Sequence, residues 1–127
     1  MAAPTIAERL KRRFLLMTAD EAMRAALAAQ VPADWEMVAI TSLDEAGDWN
    51  EILLYRFLLL DLDESEVFDP IDVIRTVRME YLLQIAVLCF GGDADIQDEM
   101  RLSRADRFYT RDQIVTVLPQ FLDQYGW

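Results

Sequence analysis

Along the chain, apolar and polar positions fall into blocks whose spacing predicts helices first. Ile6, Leu10, Phe14 and Met17 recur at helical intervals, with Arg9, Lys11, Arg12 and Arg13 mostly off that stripe, so residues 5–17, beginning at Thr5, are expected as a first helix. Thr18 and Glu21 have the spacing of a capping box, which opens a second helix at Ala19 that stops before Pro32. Residues 34–47 are ambiguous: Trp35, Val38, Ala39, Ser42 and Leu43 share a helical face, while strand alternation over 35–40 has no clean polarity. Asp48 and Glu51 form a second cap signature, and the leucine-rich block after it, interrupted only by Arg56 and Asp61, is expected to be helical over 49–62 because leucine favours helix over strand.

The strongest signal lies at 69–92. Asp69 can cap, Pro70 suits the first helical position, Asp72 stands in the first turn, and Gly91-Gly92 offers a left-handed stop. Ile71, Ile74 and Val77 lie opposite Arg75 and Arg78, and from Tyr81 to Phe90 only Gln84 is polar. A helix that is apolar all round is buried all round, so 70–90 is expected to be the central helix. Asp93 caps a short helix after it, and Thr110 with Gln113 makes a third capping box that opens a last helix, with Pro119 expected to kink or end it. The fold expected is all-α: a compact single domain of about five to seven helices around a buried central one. The alternative is α+β, with residues 35–41 and 51–60 paired as a hairpin around Gly47.

Composition adds a core and a lopsided charge. Hydrophobic residues make up 54 % of the 127, enough for one real core, and no apolar run approaches the length of a membrane span or a signal peptide. The lone Cys89 cannot form an internal disulfide, which fits a reducing cytoplasm, and its place in an apolar block makes it a core residue. The net charge is −11, and residues 34–72 carry all of it, with twelve acids against Arg56 alone. Arg101, Arg104, Arg107 and Arg111 would make one cationic ridge on a helix, read as neutralising that acidic third.

Chemistry is mostly absent. There is no histidine, hence no Ser-His or Cys-His pair and few options for zinc, and the four glycines make no phosphate loop. Asp61, Asp63, Ser65, Asp69 and Asp72 have the spacing of a calcium loop, but Glu66 stands where a glycine must turn and Asp72 where a bidentate glutamate belongs. No metal, no cofactor and no enzymatic activity are expected.

What remains is charge. The leading expectation is an acidic, protein-binding inhibitor, such as an immunity protein, an antitoxin or a phage anti-defence (anti-CRISPR-like) antagonist, that occludes a basic surface as a nucleic-acid mimic. Its binding face would be Asp44, Glu45, Asp48, Glu51, Asp61, Asp63, Glu64 and Glu66, anchored by Trp35 and Trp49. The partner would be a basic protein, a nuclease or nucleoprotein defence complex, with no direct contact to nucleic acid or membrane. The alternative is a small helical adaptor, accessory subunit or dedicated chaperone with an apolar groove, motivated by the six methionines and the aromatics; a homodimer would use the same surplus.

Overall fold

The computed structural model describes residues 6–127. The order of elements is α1 (Ile6–Leu10), β1 (Arg13–Met17), α2 (Glu21–Ala28), β2 (Glu36–Ile40), a 3-10 turn (Leu43–Ala46), α3 (Trp49–Ile52), β3 (Phe57–Asp61), α4 (Pro70–Arg75) continued by a π turn (Thr76–Glu80), β4 (Ala86–Phe90), α5 (Ala94–Leu102), β5 (Arg107–Tyr109) and α6 (Arg111–Gln124). The strands form one sheet in the order β2-β1-β3-β4-β5, every neighbouring pair parallel. This is the doubly wound, flavodoxin-like α/β arrangement, in which the chain leaves β1 first to one side and then to the other.

The expected all-α bundle is therefore wrong, and so is the α+β alternative. Residues 35–41 contain β2 and residues 51–60 most of β3, but these are parallel to β1 and lie on opposite sides of it, so no hairpin joins them. The expected first helix breaks after Leu10 and becomes β1; Thr5 lies outside the described residues. The expected helix over 49–62 is a short α3 followed by β3, and the expected central helix ends at Glu80, after which β4 begins.

The reason is burial on both faces. In β1, β3 and β4 alternate side chains enter two different cores, so both registers must be apolar and no polar alternation is left to read. Leu15, Met17, Leu58, Leu60, Val87 and Cys89 face one core with Val73, Ile74 and Val77 from the α4 segment and Met100 from α5. Phe14, Leu16, Phe57, Leu59, Leu88 and Phe90 face the other with Met23 and Leu27 from α2 and Ile114, Leu118, Phe121 and Leu122 from α6. Phe14 and Phe57 stack there at 4.8 Å between ring centroids. Burial pushes the Cys89 thiol up to about 12, in keeping with a core residue. No helix among the described residues is long and apolar enough to cross a membrane.

Local capping chemistry behaves as its side chains dictate. Asp48, Asp69 and Asp93 cap α3, α4 and α5, and the box of Thr110 with Gln113 opens α6, which contains Pro119 without ending there. The second helix differs: its cap is Asp20, and Thr18 is used elsewhere.

Candidate functional site

In an open parallel sheet the crevice lies beyond the carboxyl ends of the strands, where the winding reverses, here between β1 and β3. Thr18 follows β1 directly and Asp61 is the last residue of β3; both are buried. The Thr18 hydroxyl donates to Asp61 Oδ2 at 2.7 Å. Asp61 Oδ1 accepts from the backbone N–H of Asp63 at 2.9 Å and from Arg111 Nη1 at 2.7 Å. Both oxygens of this carboxylate are thus engaged.

Arg111 is the hub of the crevice. Besides Asp61 it reaches Asp63 Oδ2 at 2.9 Å through Nη1 and Asp20 Oδ2 at 2.7 Å through Nη2, and its guanidinium lies 5.3 Å from the centre of the Phe90 ring. Burial opposes its charge, but the hydrogen bonds and attraction of Asp61, then Asp20 and Asp63, outweigh burial and hold the guanidinium above its ordinary range. The Asp20 carboxyl is held low, first by the Met23 N–H that it caps and then by Arg111.

The neighbouring turn is built to leave room. The Gly92 N–H donates to Asp63 Oδ1 at 2.9 Å, and Gly91 has φ 74° at a point where a Cβ would fall on the Asp63 carboxylate. Only glycine meets both demands.

Of the residues expected to form an acidic binding face, the crevice gathers two, Asp61 and Asp63. Asp44 and Glu45 are exposed on the 3-10 turn, Asp48 caps α3, and Glu51 is exposed on α3. Glu64 turns inward on its own loop, accepting from the N–H groups of Val67, Glu66 and Ser65, which lowers its pKa; Glu66 is exposed beside it. Trp35 is no surface anchor but packs against Phe14 and Phe57, whereas Trp49 is 50 % exposed on α3. Nor is there a calcium loop, since Asp69 is spent on capping α4 and Asp63 on Arg111. A separate hollow of about 370 Å³ brings Asp44 near Asp69 and Asp72 beside α4.

The crevice residues that the sequence reading missed are Thr18, Asp20 and Arg111. Their common signal was position just past the end of a strand: Thr18 and Asp20 follow FLLM, and Arg111 follows RFY by one residue. The expected arginine ridge dissolves too, since Arg101 lies on α5, Arg104 in a turn at φ 71°, Arg107 on β5 and Arg111 on α6.

No protein-family model matches the sequence, and no curated protein does either. Solved structures do match. A signal receiver domain of a response regulator from Bermanella marisrubri superposes with a TM-score of 0.71 at 22 % identity, over 89 % of this chain and 96 % of that one. This chain has the receiver fold. The phosphorylated cyanobacterial phytochrome response regulator RcpA matches at TM-score 0.66 and 17 % identity over 90 % and 93 % of the two chains, and the Mn²⁺-bound form of response regulator Rcp1 at 0.68 and 13 % over 88 % and 95 %.

These neighbours overturn the expected functions. The solved structures named above, matched nearly end to end, are response regulators, not acidic inhibitors, nucleic-acid mimics, adaptors or chaperones, and the basic nuclease or defence-complex partner goes with those readings. Physically, the expected acidic face is divided among the crevice, helix caps and separate loops.

A divalent cation, such as the Mn²⁺ held by one neighbour, does not fit the crevice residues as arranged here. The Arg111 guanidinium already occupies the point shared by Asp20, Asp61 and Asp63. Among the described residues no group of three or more His, Cys, Asp or Glu side chains is placed to hold a metal ion.

Proposed function

We propose that this chain is a receiver-type signalling module that works without a phosphoryl group on Asp61. It would transmit a signal as a protein-interaction domain, turn over no substrate of its own, and act as a single domain in the cytoplasm. The fold of its neighbours supports the signalling part. The observation that carries the rest is the state of Asp61. A carboxylate forms an acyl phosphate through an oxygen with an open approach to phosphorus, and a mobile cation must meet the incoming charge. In this crevice both oxygens of Asp61 already accept hydrogen bonds, from Thr18 on one side and from Arg111 and the Asp63 N–H on the other.

The test is incubation with acetyl phosphate and Mg²⁺, followed by intact-mass measurement under conditions that preserve acyl phosphates. The expected result is an unchanged mass. Appearance of one phosphoryl group, lost in Asp61→Asn, would overturn the reading.

A further inference from the structure

We propose that the Arg111 guanidinium is a built-in replacement for a divalent cation, fixed in the crevice by the chain itself. The inference deepens the reading of Asp61 given above and rests on it. Two segments far apart in sequence send three carboxylates to one group: Asp20 from the residue that caps α2, and Asp61 at the end of β3 with Asp63 just after it. Convergence of several carboxylates on a single point is what a small hard cation demands of a protein, and here a planar cation receives them through two nitrogens.

The position of Arg111 argues that this is more than a surface ion pair. It is the first residue of α6, where the unpaired N–H groups of the helix disfavour positive charge, so the placement costs stability unless anions are brought to it. The capping box of Thr110 and Gln113 fixes that first turn, and Phe90 lies beneath the guanidinium. Asp63 is in turn oriented by the Gly92 N–H. The carboxylates are thus gathered around the guanidinium, and the cation that satisfies them cannot dissociate.

A metal-binding experiment separates this from a merely structural cluster. Calorimetry with MnCl₂ is run on the full chain, on Arg111→Ala and on Arg111→Ala with Asp61→Asn, with folding checked by circular dichroism. The wild type is expected to bind no Mn²⁺ in the crevice. Arg111→Ala is expected to gain a one-to-one site, and the added Asp61→Asn change to weaken it about tenfold or more. Mn²⁺ broadening of the Asp63 and Gly92 amide signals would locate the site.

One-to-one Mn²⁺ binding by the wild type that broadens those amides would overturn the proposal without any variant. So would a folded Arg111→Ala that binds no Mn²⁺. Should Arg111→Ala not fold, Arg111→Gln, which keeps length and polarity but removes the charge, is read by the same criteria. Either negative result would leave the acetyl phosphate outcome standing, so the two readings fail separately.

Discussion

The two ends of the sheet treat arginine in opposite ways. At the amino ends of the strands, Arg56 and Arg78 are 7 % and 5 % exposed and are held mostly by backbone carbonyls. Arg56 donates to the carbonyls of Leu10, Lys11, Tyr125 and Trp127, beneath the Trp127 ring at 4.0 Å. Arg78 donates to the carbonyls of Leu83, Ile85 and Arg104 and to the Asp106 carboxylate. At the carboxyl ends, Arg111 meets three carboxylates from two segments. Burial pulls the first two guanidiniums below their ordinary range, with Asp106 partly offsetting it at Arg78, whereas the carboxylates raise the third.

The topology explains the contrast. In a parallel α/β sheet, helices finish near the amino ends of the next strands and begin near the carboxyl ends of the previous ones. Chain segments leaving helices bring unpaired carbonyls to the first end, and helix starts bring N–H groups and their acidic caps to the second. Arg56 and Arg78 follow this polarity, and their work is to close gaps in the backbone. Arg111 goes against it at a helix start, and such a position marks a group kept for the crevice.

If that contrast is right, the greatest loss of stability should come from the amino end. Arg78→Ala strands three carbonyls, takes the ion-pair partner from the exposed Asp106, and releases two left-handed turns, Leu82 at φ 55° and Arg104 at φ 71°. Urea unfolding should show a loss of about 3–5 kcal/mol, with no effect on whether the crevice takes Mn²⁺. A loss under about 1 kcal/mol would place Arg78 among ordinary surface charges.

A smaller effect is expected at the crevice from Thr18→Val, which keeps shape but removes the hydroxyl from Asp61 Oδ2. Leaving that buried oxygen without its donor should cost about 1–3 kcal/mol by the same measurement. The smallest effect concerns acid. Because the folded Asp20 carboxyl titrates below its unfolded value, its contribution is present above pH of about 4 and disappears as pH falls through the lower folded value. Asp20→Asn should therefore lower the neutral plateau and shallow the acid limb by the same amount, a small one because this side chain is partly exposed and its pairing is screened. An acid limb of unaltered slope would mean that Asp20 adds nothing beyond its cap.

Much of the local punctuation was legible in the sequence. Asp48, Asp69 with Pro70, Asp93 and Thr110 cap helices as their side chains predict, because a cap is settled within four residues. The strands were not legible. FLLM, FLLLD and AVLCF are buried on both faces, and a short run of leucines without alternation is equally compatible with a buried helix. Gly91 and Gly92 were read correctly as left-handed, at φ 74° and 79°, but they follow a strand and not a helix.

The crevice was hidden for a different reason. Asp61 and Asp63 stood out only as two acids among twelve, Thr18 looked like a cap, and Arg111 like one step of a helical ridge. What unites them is the order of strands in the sheet, and no local pattern contains that.

Each ladder between the described strands is parallel, so none can close as a hairpin, and every one must wait for a helix-bearing connection to fold back. Search time is therefore built into the architecture: β3 cannot find β1 until the intervening excursion through β2 has been accommodated. A chain of this kind should refold more slowly than a helical bundle of equal length, with its leucine-rich strands open to misassociation in the meantime.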